Sequence, residues 1–304
     1  MTKAENLPYT THGPFATHSP EWHAHRAKCI GASEIASILR VPGAFSTPLK
    51  VWADKKALLQ SDPPTEAPDF LRFGLKLEPV IADEFAERTG LLVEEEDRQF
   101  ISKPYPFLGC SLDRWFYKGK AKGPLDLKNT GFYMKDRWED GIYLPYQVQV
   151  QGQMAVTGAE IGACAVLMGG NEFKWGLVER NQRFIDAMLE KLERFWEMVI
   201  NDIMPEPEAE DTKLVGVLLG RESAGVSVAL TGDWVDVDEQ LQKTKEEIKK
   251  LTETKDKLEA RLKMKIGEAE RGVLPGGGQY IYKTVERQGY TVQATSVRQL
   301  RRIK

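Results

Sequence analysis

From Phe70 to Thr89 the apolar residues Leu71, Leu75, Leu77, Val80, Ile81 and Phe85 return at helical spacing, and Gly90 supplies a stop. The spacing predicts an amphipathic helix over 70–89, with Pro79 marking a kink or a start at Glu78. Downstream the period changes. Leu91–Phe100 and Phe107–Tyr117 read as strands, 118–123 as a basic hairpin turn and Pro124–Lys128 as the next strand. Pro145–Thr157 then reads as a helix, and 160–167 and 173–178 as a hairpin joined through Met168-Gly-Gly-Asn171. A long amphipathic helix follows, carrying Phe184, Met188, Leu189, Leu192, Phe195, Trp196, Val199 and Ile200. Nearer the N-terminus, 48–59 reads as a short helix with Trp52 inward, and Ser33 as the N-cap of a helix bearing Ile35, Ile38 and Leu39. Strands mixed with helices in this way predict an α/β (α+β) class.

Breakers divide the chain. Residues 1–20, with Pro8, Pro14 and Pro20, form an N-terminal arm, and 62–68 (Asp-Pro-Pro-Thr-Glu-Ala-Pro) a mobile loop. The acidic, proline-bearing stretch 205–211 opens a linker region spanning 205–238, leaving 21–204 as the main domain. Beyond it, 239–266 is a charged helix with Leu241, Ile248, Leu251, Leu258 and Leu262 near heptad positions. A hairpin follows, with Tyr280, Tyr282 and Val285 before a turn at Arg287-Gln-Gly289, and the chain ends in Arg298, Arg301, Arg302 and Lys304.

Charge sharpens that division. The chain carries 42 Lys+Arg and 45 Asp+Glu, a net of −3. Residues 239–304 hold 16 basic against 9 acidic residues, a net of +7, so 1–238 hold 26 against 36, a net of −10. A basic module therefore follows an acidic body, and an acidic body still accommodates a local basic groove. At 41% hydrophobic and 29% charged, the composition is that of a globular protein. The absence of an 18-residue apolar run, or of an apolar core near the N-terminus, predicts a cytoplasmic protein with no membrane partner. Cys29, Cys110 and Cys164 are isolated, and His12, His18, His23 and His25 match no zinc spacing.

The candidate chemistry lies between Leu108 and Gln153. Asp126 and Lys128, one residue apart on a strand, share a face while Leu127 packs behind them, and Asp113 sits on the neighbouring strand. Two carboxylates beside a lysine suit a hard cation such as Mg²⁺, which takes oxygen ligands and keeps room for water and a phosphate oxygen. That is the outline of a metal-dependent phosphodiesterase. Spacings of three and four put Tyr146, Gln149 and Gln153 on one helix face, with Gln151 off it. Arg26 near Ser33 suggests a phosphate pocket, a helix cap beside a surface ion pair being the alternative.

Trp22-His-x-x-Arg26, Gly31-x-Ser33, Gly74-x-x-x-Glu78-Pro79, Asp126-Leu-Lys128 and Tyr146-x-x-Gln149 together resemble the PD-(D/E)xK nucleases, specifically the phage lambda exonuclease and YqaJ-type viral recombinase group. The resemblance covers residues 20–204. It implies a restriction-endonuclease-like core, a central mixed sheet flanked by helices, here followed by the C-terminal helix and hairpin. It further implies Mg²⁺ (or Mn²⁺) held by Asp113, Asp126, the Leu127 carbonyl and Glu78. Lys128 positions the nucleophile, Gln149 faces the site, and Arg26, Ser33, Ser111 and Tyr146 receive a 5′-phosphate. The implied activity is 5′-to-3′ hydrolysis of linear duplex DNA from an end, leaving a 3′ strand for a single-strand-annealing partner, by a ring-shaped homotrimer. Leu112-Asp113-Arg114 departs from the group's Pro-Asp-Gly, and Asp126 stands where glutamate is commoner. An endonuclease or single-strand nuclease of the same superfamily, or a catalytically weak end-binding factor, are the competing readings.

Overall fold

A computed structural model describes residues 7–15, 19–56, 69–220 and 222–286. The chain divides into two compact units, Met1–Gly220 and Arg221–Lys304.

The first unit is built on two sheets. One has four strands in the order β1 (Tyr9–His12), β4 (Gln99–Ser102), β5 (Leu108–Ser111) and β2 (Ile30–Gly31). The other has five, ordered β3 (Leu92–Glu95), β6 (Arg114–Lys118), β7 (Ala121–Thr130), β8 (Ile161–Met168) and β9 (Glu172–Glu179). β2 with β5 and β7 with β8 are parallel pairs and the remaining pairs are antiparallel, so both sheets are mixed.

Each of the two predicted strands 91–100 and 107–117 is in fact two. The chain leaves the five-stranded sheet after Glu95 and joins the other at Gln99, then crosses back at Leu112–Asp113. Asp113 therefore stands at the corner between sheets. The turn before β7 is tighter than expected: Lys118 pairs with Ala121 across Gly119 (φ +61°) and Lys120, and β7 runs on to Thr130.

Helices cover the sheets: α1 (Pro20–Arg26), α2 (Ile35–Ile38), α3 (Pro48–Lys55), α4 (Asp69–Thr89), α5 (Leu144–Thr157) and α6 (Gln182–Ile200). α4 puts Ile81, Ala82 and Phe85 against Phe116, Leu125, Leu127, Ala163 and Ala165 of the five-stranded sheet. On the other face of that sheet α5 packs Val150 and Met154 against Cys164, Val166 and Met168. Strand alternation thus sends Leu125 and Leu127 towards α4, and Asp126 towards α5. A third apolar cluster joins Ile30, Ile35, Leu49, Trp52, Phe100 and Leu108 to Val148 of α5 and to Met188, Leu192 and Phe195 of α6.

Several local expectations change. α4 continues through Pro79 without a break, at the cost of the hydrogen bond a donor there would give the Leu75 carbonyl. Ser33 is not an N-cap: it lies in a 3-10 turn, Ala32–Glu34, and α2 starts at Ile35. The acidic stretch 205–211 packs on the first unit. Asp211 is buried and accepts from Thr47 Oγ1 at 2.6 Å, and Arg40 meets Glu208 at 2.9 Å. α7 (Thr212–Leu218) adds Leu214, Val215 and Leu218 to the third cluster.

In the second unit, α8 runs from Asp233 to Ile266, starting earlier than predicted, and buries none of its side chains within the described structure. The hairpin that follows pairs β10 (Arg271–Val273) with β11 (Gln279–Ile281), with Gly276–Gly278 in the connection. The expected turn at 287–289, its partner strand and the terminal arginines lie outside the described residues, as does the 62–68 loop.

Candidate active site

β7 and the sheet corner bring the acidic residues together. The Leu127 amide donates to Asp113 Oδ2 at 2.7 Å, tying the corner to β7. Asp126 is buried at 1% exposure and enclosed by donors. Gln149 Nε2 and Gln153 Nε2 reach its Oδ1 at 2.6 and 3.2 Å, Lys128 Nζ lies 2.8 Å from Oδ2, and the Cys164 thiol approaches the same oxygen at 3.9 Å. A buried carboxylate is tolerated only with such partners. Lys128 in turn lies 5.1 Å from the centre of the Tyr146 ring, a cation–π contact. Gln151, off that helix face, bonds instead to the Glu179 carbonyl at 2.7 Å and the Asn181 amide at 3.0 Å.

The electrostatics are those of surplus negative charge. Burial, and then Asp126, push the Asp113 carboxyl up to about 7, against the pull of Lys128. Burial also raises Glu78 of α4, which Arg114 and Lys128 partly offset. Burial works against the Lys128 ammonium, but Asp126 and Asp113 outweigh it and hold the group above its ordinary value. Among the described residues no three His, Cys, Asp or Glu side chains close up tightly enough to hold a metal alone. The donor set nonetheless fits a hard cation that needs one or two carboxylates and completes its shell with water. Asp113, Asp126 and Glu78 repel one another with Lys128 and Arg114 as their counter-charges, and a divalent cation would relieve that repulsion.

A cleft of about 490 Å³ opens here, lined by Glu78, Asp113, Lys128 and Gln149 together with Arg26, Ser33 and Ser111. Arg26 Nη2 donates to Ser33 Oγ at 3.1 Å, and its guanidinium lies 4.6 Å from the centre of the Trp22 ring. Glu34 stands behind it at 3.7 Å, accepting from the Gly31 amide at 2.7 Å and paired with Lys55 at 2.8 Å. Lys55 is only 3% exposed, and its ammonium also reaches the Arg26 carbonyl at 2.9 Å. Tyr146 is the one predicted phosphate ligand that does not line this cleft; it lies in an adjoining one.

A model of the YqaJ-like viral recombinase domain matches residues 21–160, which include every site residue predicted from the sequence. Over 272 residues the chain is 30% identical to the uncharacterised protein YqaJ of Bacillus subtilis (strain 168), covering 87% of this chain and 83% of that protein. The chain belongs to the YqaJ-like viral recombinase family. Among solved structures this YqaJ-like chain is similar to an alkaline exonuclease, LHK-Exo, from Laribacter hongkongensis. The TM-score is 0.50 at 20% identity, over 66% of this chain and all of that one. The likeness carries the fold, which is the restriction-endonuclease-like architecture expected.

In this YqaJ-like site, residues to which the sequence assigned no role complete the arrangement. Gln153, named only as sharing a face with Gln149, bonds to Asp126. Glu34 and Lys55 back Arg26, and Cys164, isolated in the sequence, lies beside Asp126. The unusual Arg114 donates to the Asp113 carbonyl at 2.6 Å and lies 3.5 Å from Glu95, while Leu112 is buried in the core.

Proposed function

We propose that this protein is a Mg²⁺-dependent exonuclease that hydrolyses phosphodiester bonds of linear duplex DNA, 5′ to 3′ from a 5′-phosphorylated end. It leaves 3′ single strands for a single-strand-annealing protein and acts in the host cytoplasm as a ring-shaped homotrimer. The observation that carries this reading is one cleft whose lining includes both Asp113, Lys128 and Glu78 and Arg26, Ser33 and Ser111. An anchor for a terminal phosphate beside a hydrolytic centre is the arrangement an end-specific nuclease needs. The family membership and the exonuclease neighbour support it.

Asp113, Asp126, the Leu127 carbonyl and Glu78 would hold the cation. When bound, Mg²⁺ supplies a Lewis acid for the phosphoryl oxygens and an acidified water. Lys128, held against Asp126 in the cleft lining, would supply positive charge that orients the attacking water and compensates charge developing on the phosphoryl oxygens. Gln149 and Gln153 hold Oδ1 of the Asp126 carboxylate, leaving Oδ2 to pair with Lys128. Arg26 and Ser33 bind the terminal phosphate through charge-assisted hydrogen bonds, with Glu34 and Trp22 fixing the guanidinium.

The test is digestion of linear and circular duplex, with and without a 5′-phosphate, in Mg²⁺ or EDTA, comparing the native chain with Lys128→Ala. The reading expects Mg²⁺-dependent release of nucleotides from linear DNA, faster on phosphorylated ends and lost in the variant. Binding of ends with no release in Mg²⁺ or Mn²⁺ would replace it by the end-binding factor, and cutting of circles by an endonuclease.

A further inference from the structure

Among the described residues, little covers the apolar stripe of α8. The helix carries Val237, Leu241, Ile248, Leu251, Leu258 and Leu262 at alternating steps of three and four residues, with Thr244 and Lys255 completing the series. Trp234 and Lys265 extend it at the two ends. This is a heptad seam, with a at Trp234, Leu241, Ile248, Lys255 and Leu262 and d three residues after each. Leu262 is half-buried, and the other apolar members are between 37% and 69% exposed. A 34-residue helix draws its stability mainly from burying such a seam, not from propensity.

The charges on the same helix say what buries it. Its N-terminal half, 233–249, holds 6 acidic and 3 basic residues, a net of −3, and its C-terminal half, 250–266, holds 3 acidic and 6 basic, a net of +3. Two copies laid antiparallel put each acidic half on a basic half and oppose their helix dipoles. Parallel copies stack like charge on like.

The layers of the seam agree. Antiparallel overlap from end to end faces Val237 with Leu262, Leu241 with Leu258 and Ile248 with Leu251, each pairing occurring twice. The two lysines of the seam also find fitting neighbours: Lys255 faces Thr244, and Lys265 faces the Trp234 ring, a cation–π pairing. A parallel pair would set Lys255 on Lys255 and Lys265 on Lys265, and bring Asp233 beside Asp238. The antiparallel pair has one like-charged flank, Asp238 beside Glu259, and it is eased by Lys255 and Lys263, which lie 3.8 and 3.7 Å from Glu259 on its own helix.

We propose that α8 forms an antiparallel two-stranded coiled coil with α8 of a second copy of this chain, in register over its whole length. Such a pair is two-fold and cannot close inside a ring of three. With the trimer proposed above it therefore joins two rings. The pairing takes nothing from the nuclease reading and stands or falls separately.

The experiment uses the full chain in two forms, Leu241→Cys and Leu258→Cys. Each is oxidised alone, and as a mixture allowed to exchange subunits in reductant first, and disulfide-linked pairs are read on a non-reducing gel. Cys29, Cys110 and Cys164 are buried, and the native chain is the blank. Linked pairs should form in the mixture and not from either form alone, since the antiparallel register sets like positions roughly 25 Å apart along the axis. Light scattering should show a two-fold lower particle mass for Ile248→Asp combined with Leu251→Asp, and the native mass for Lys255→Leu. Linked pairs from either form alone would mean a parallel seam and overturn the proposal. No linked pairs in the mixture, or a native mass in the double aspartate variant, would overturn it too: the stripe would then be covered by residues 287–304 or by a different protein.

Discussion

The backbone amide of Leu127 lies 2.7 Å from a carboxylate oxygen of Asp113, so the residue at the corner between two sheets is tethered to the strand that carries Asp126 and Lys128. That bond ties the Asp113 carboxylate to the backbone between Asp126 and Lys128 with one main-chain donor. Asp113→Ala should therefore do more than remove a carboxylate, because it leaves the Leu127 amide without this acceptor. Asp113→Asn keeps an acceptor. Both variants should lose nucleotide release, and Asp113→Ala should also unfold more easily, by about 1–3 kcal/mol in urea, the cost of an unsatisfied buried donor.

Removing Lys128 should be costly to turnover. Fixed positive charge that compensates a transition state is worth roughly 10²–10³ in rate, and Lys128→Ala should slow single-turnover cleavage at saturating enzyme by at least that factor. Affinity for the DNA end should change far less, since the proposed phosphate anchor, Arg26 with Ser33, is left intact.

The Arg26 anchor predicts a discrimination. Arg26→Ala should lower the ratio of rates on 5′-phosphate and 5′-hydroxyl ends by roughly ten- to hundred-fold, the worth of a charge-assisted hydrogen bond. Glu34→Gln should give a partial loss of the same ratio, because it loosens the guanidinium without removing it. An unchanged ratio in Arg26→Ala would remove the anchor.

Asp113 also predicts a pH dependence of stability in the metal-free protein. Its folded carboxyl is pushed up to about 7, above the ordinary value of 3.8 it takes on unfolding. The protonated form is thus favoured by the fold: its contribution is fully present below 3.8 and is lost as pH rises through about 7. Thermal melting in EDTA should fall across that window more steeply for the native chain than for Asp113→Asn. Saturating Mg²⁺ should flatten the native profile.

Much of this was legible in the sequence, and the failures have physical reasons. The apolar stripes of α4, α5 and α6 and the β8–β9 hairpin are set by local periodicity, and they are where the pattern puts them. The spacing of Tyr146, Gln149 and Gln153 likewise gave a true helix face, because i, i+3 and i+7 geometry is local. The sheet corner was not visible, since alternation runs through Glu96–Arg98 and Leu112–Asp113 whether or not the chain changes sheets. Glu34 with Lys55 and Asp126 with Cys164 are pairings of distant residues with no periodic signal. The 205–211 stretch misled for the same reason: its prolines and acids read as a linker, but Asp211 is buried by Thr47, distant in the chain. Asp211→Ala should accordingly destabilise the first unit by about 2 kcal/mol in urea unfolding.

The crossing of the chain between sheets has one more consequence. Ser33 follows closely on β2 of the four-stranded sheet, and Lys128 belongs to the five-stranded one, so the gap between the proposed phosphate anchor and the proposed cutting centre spans the join of two sheets. If one strand occupies both, that join is a ruler. The length of the released piece is then graduated by the bend of the sheets, and lengthening a surface loop would not reset it.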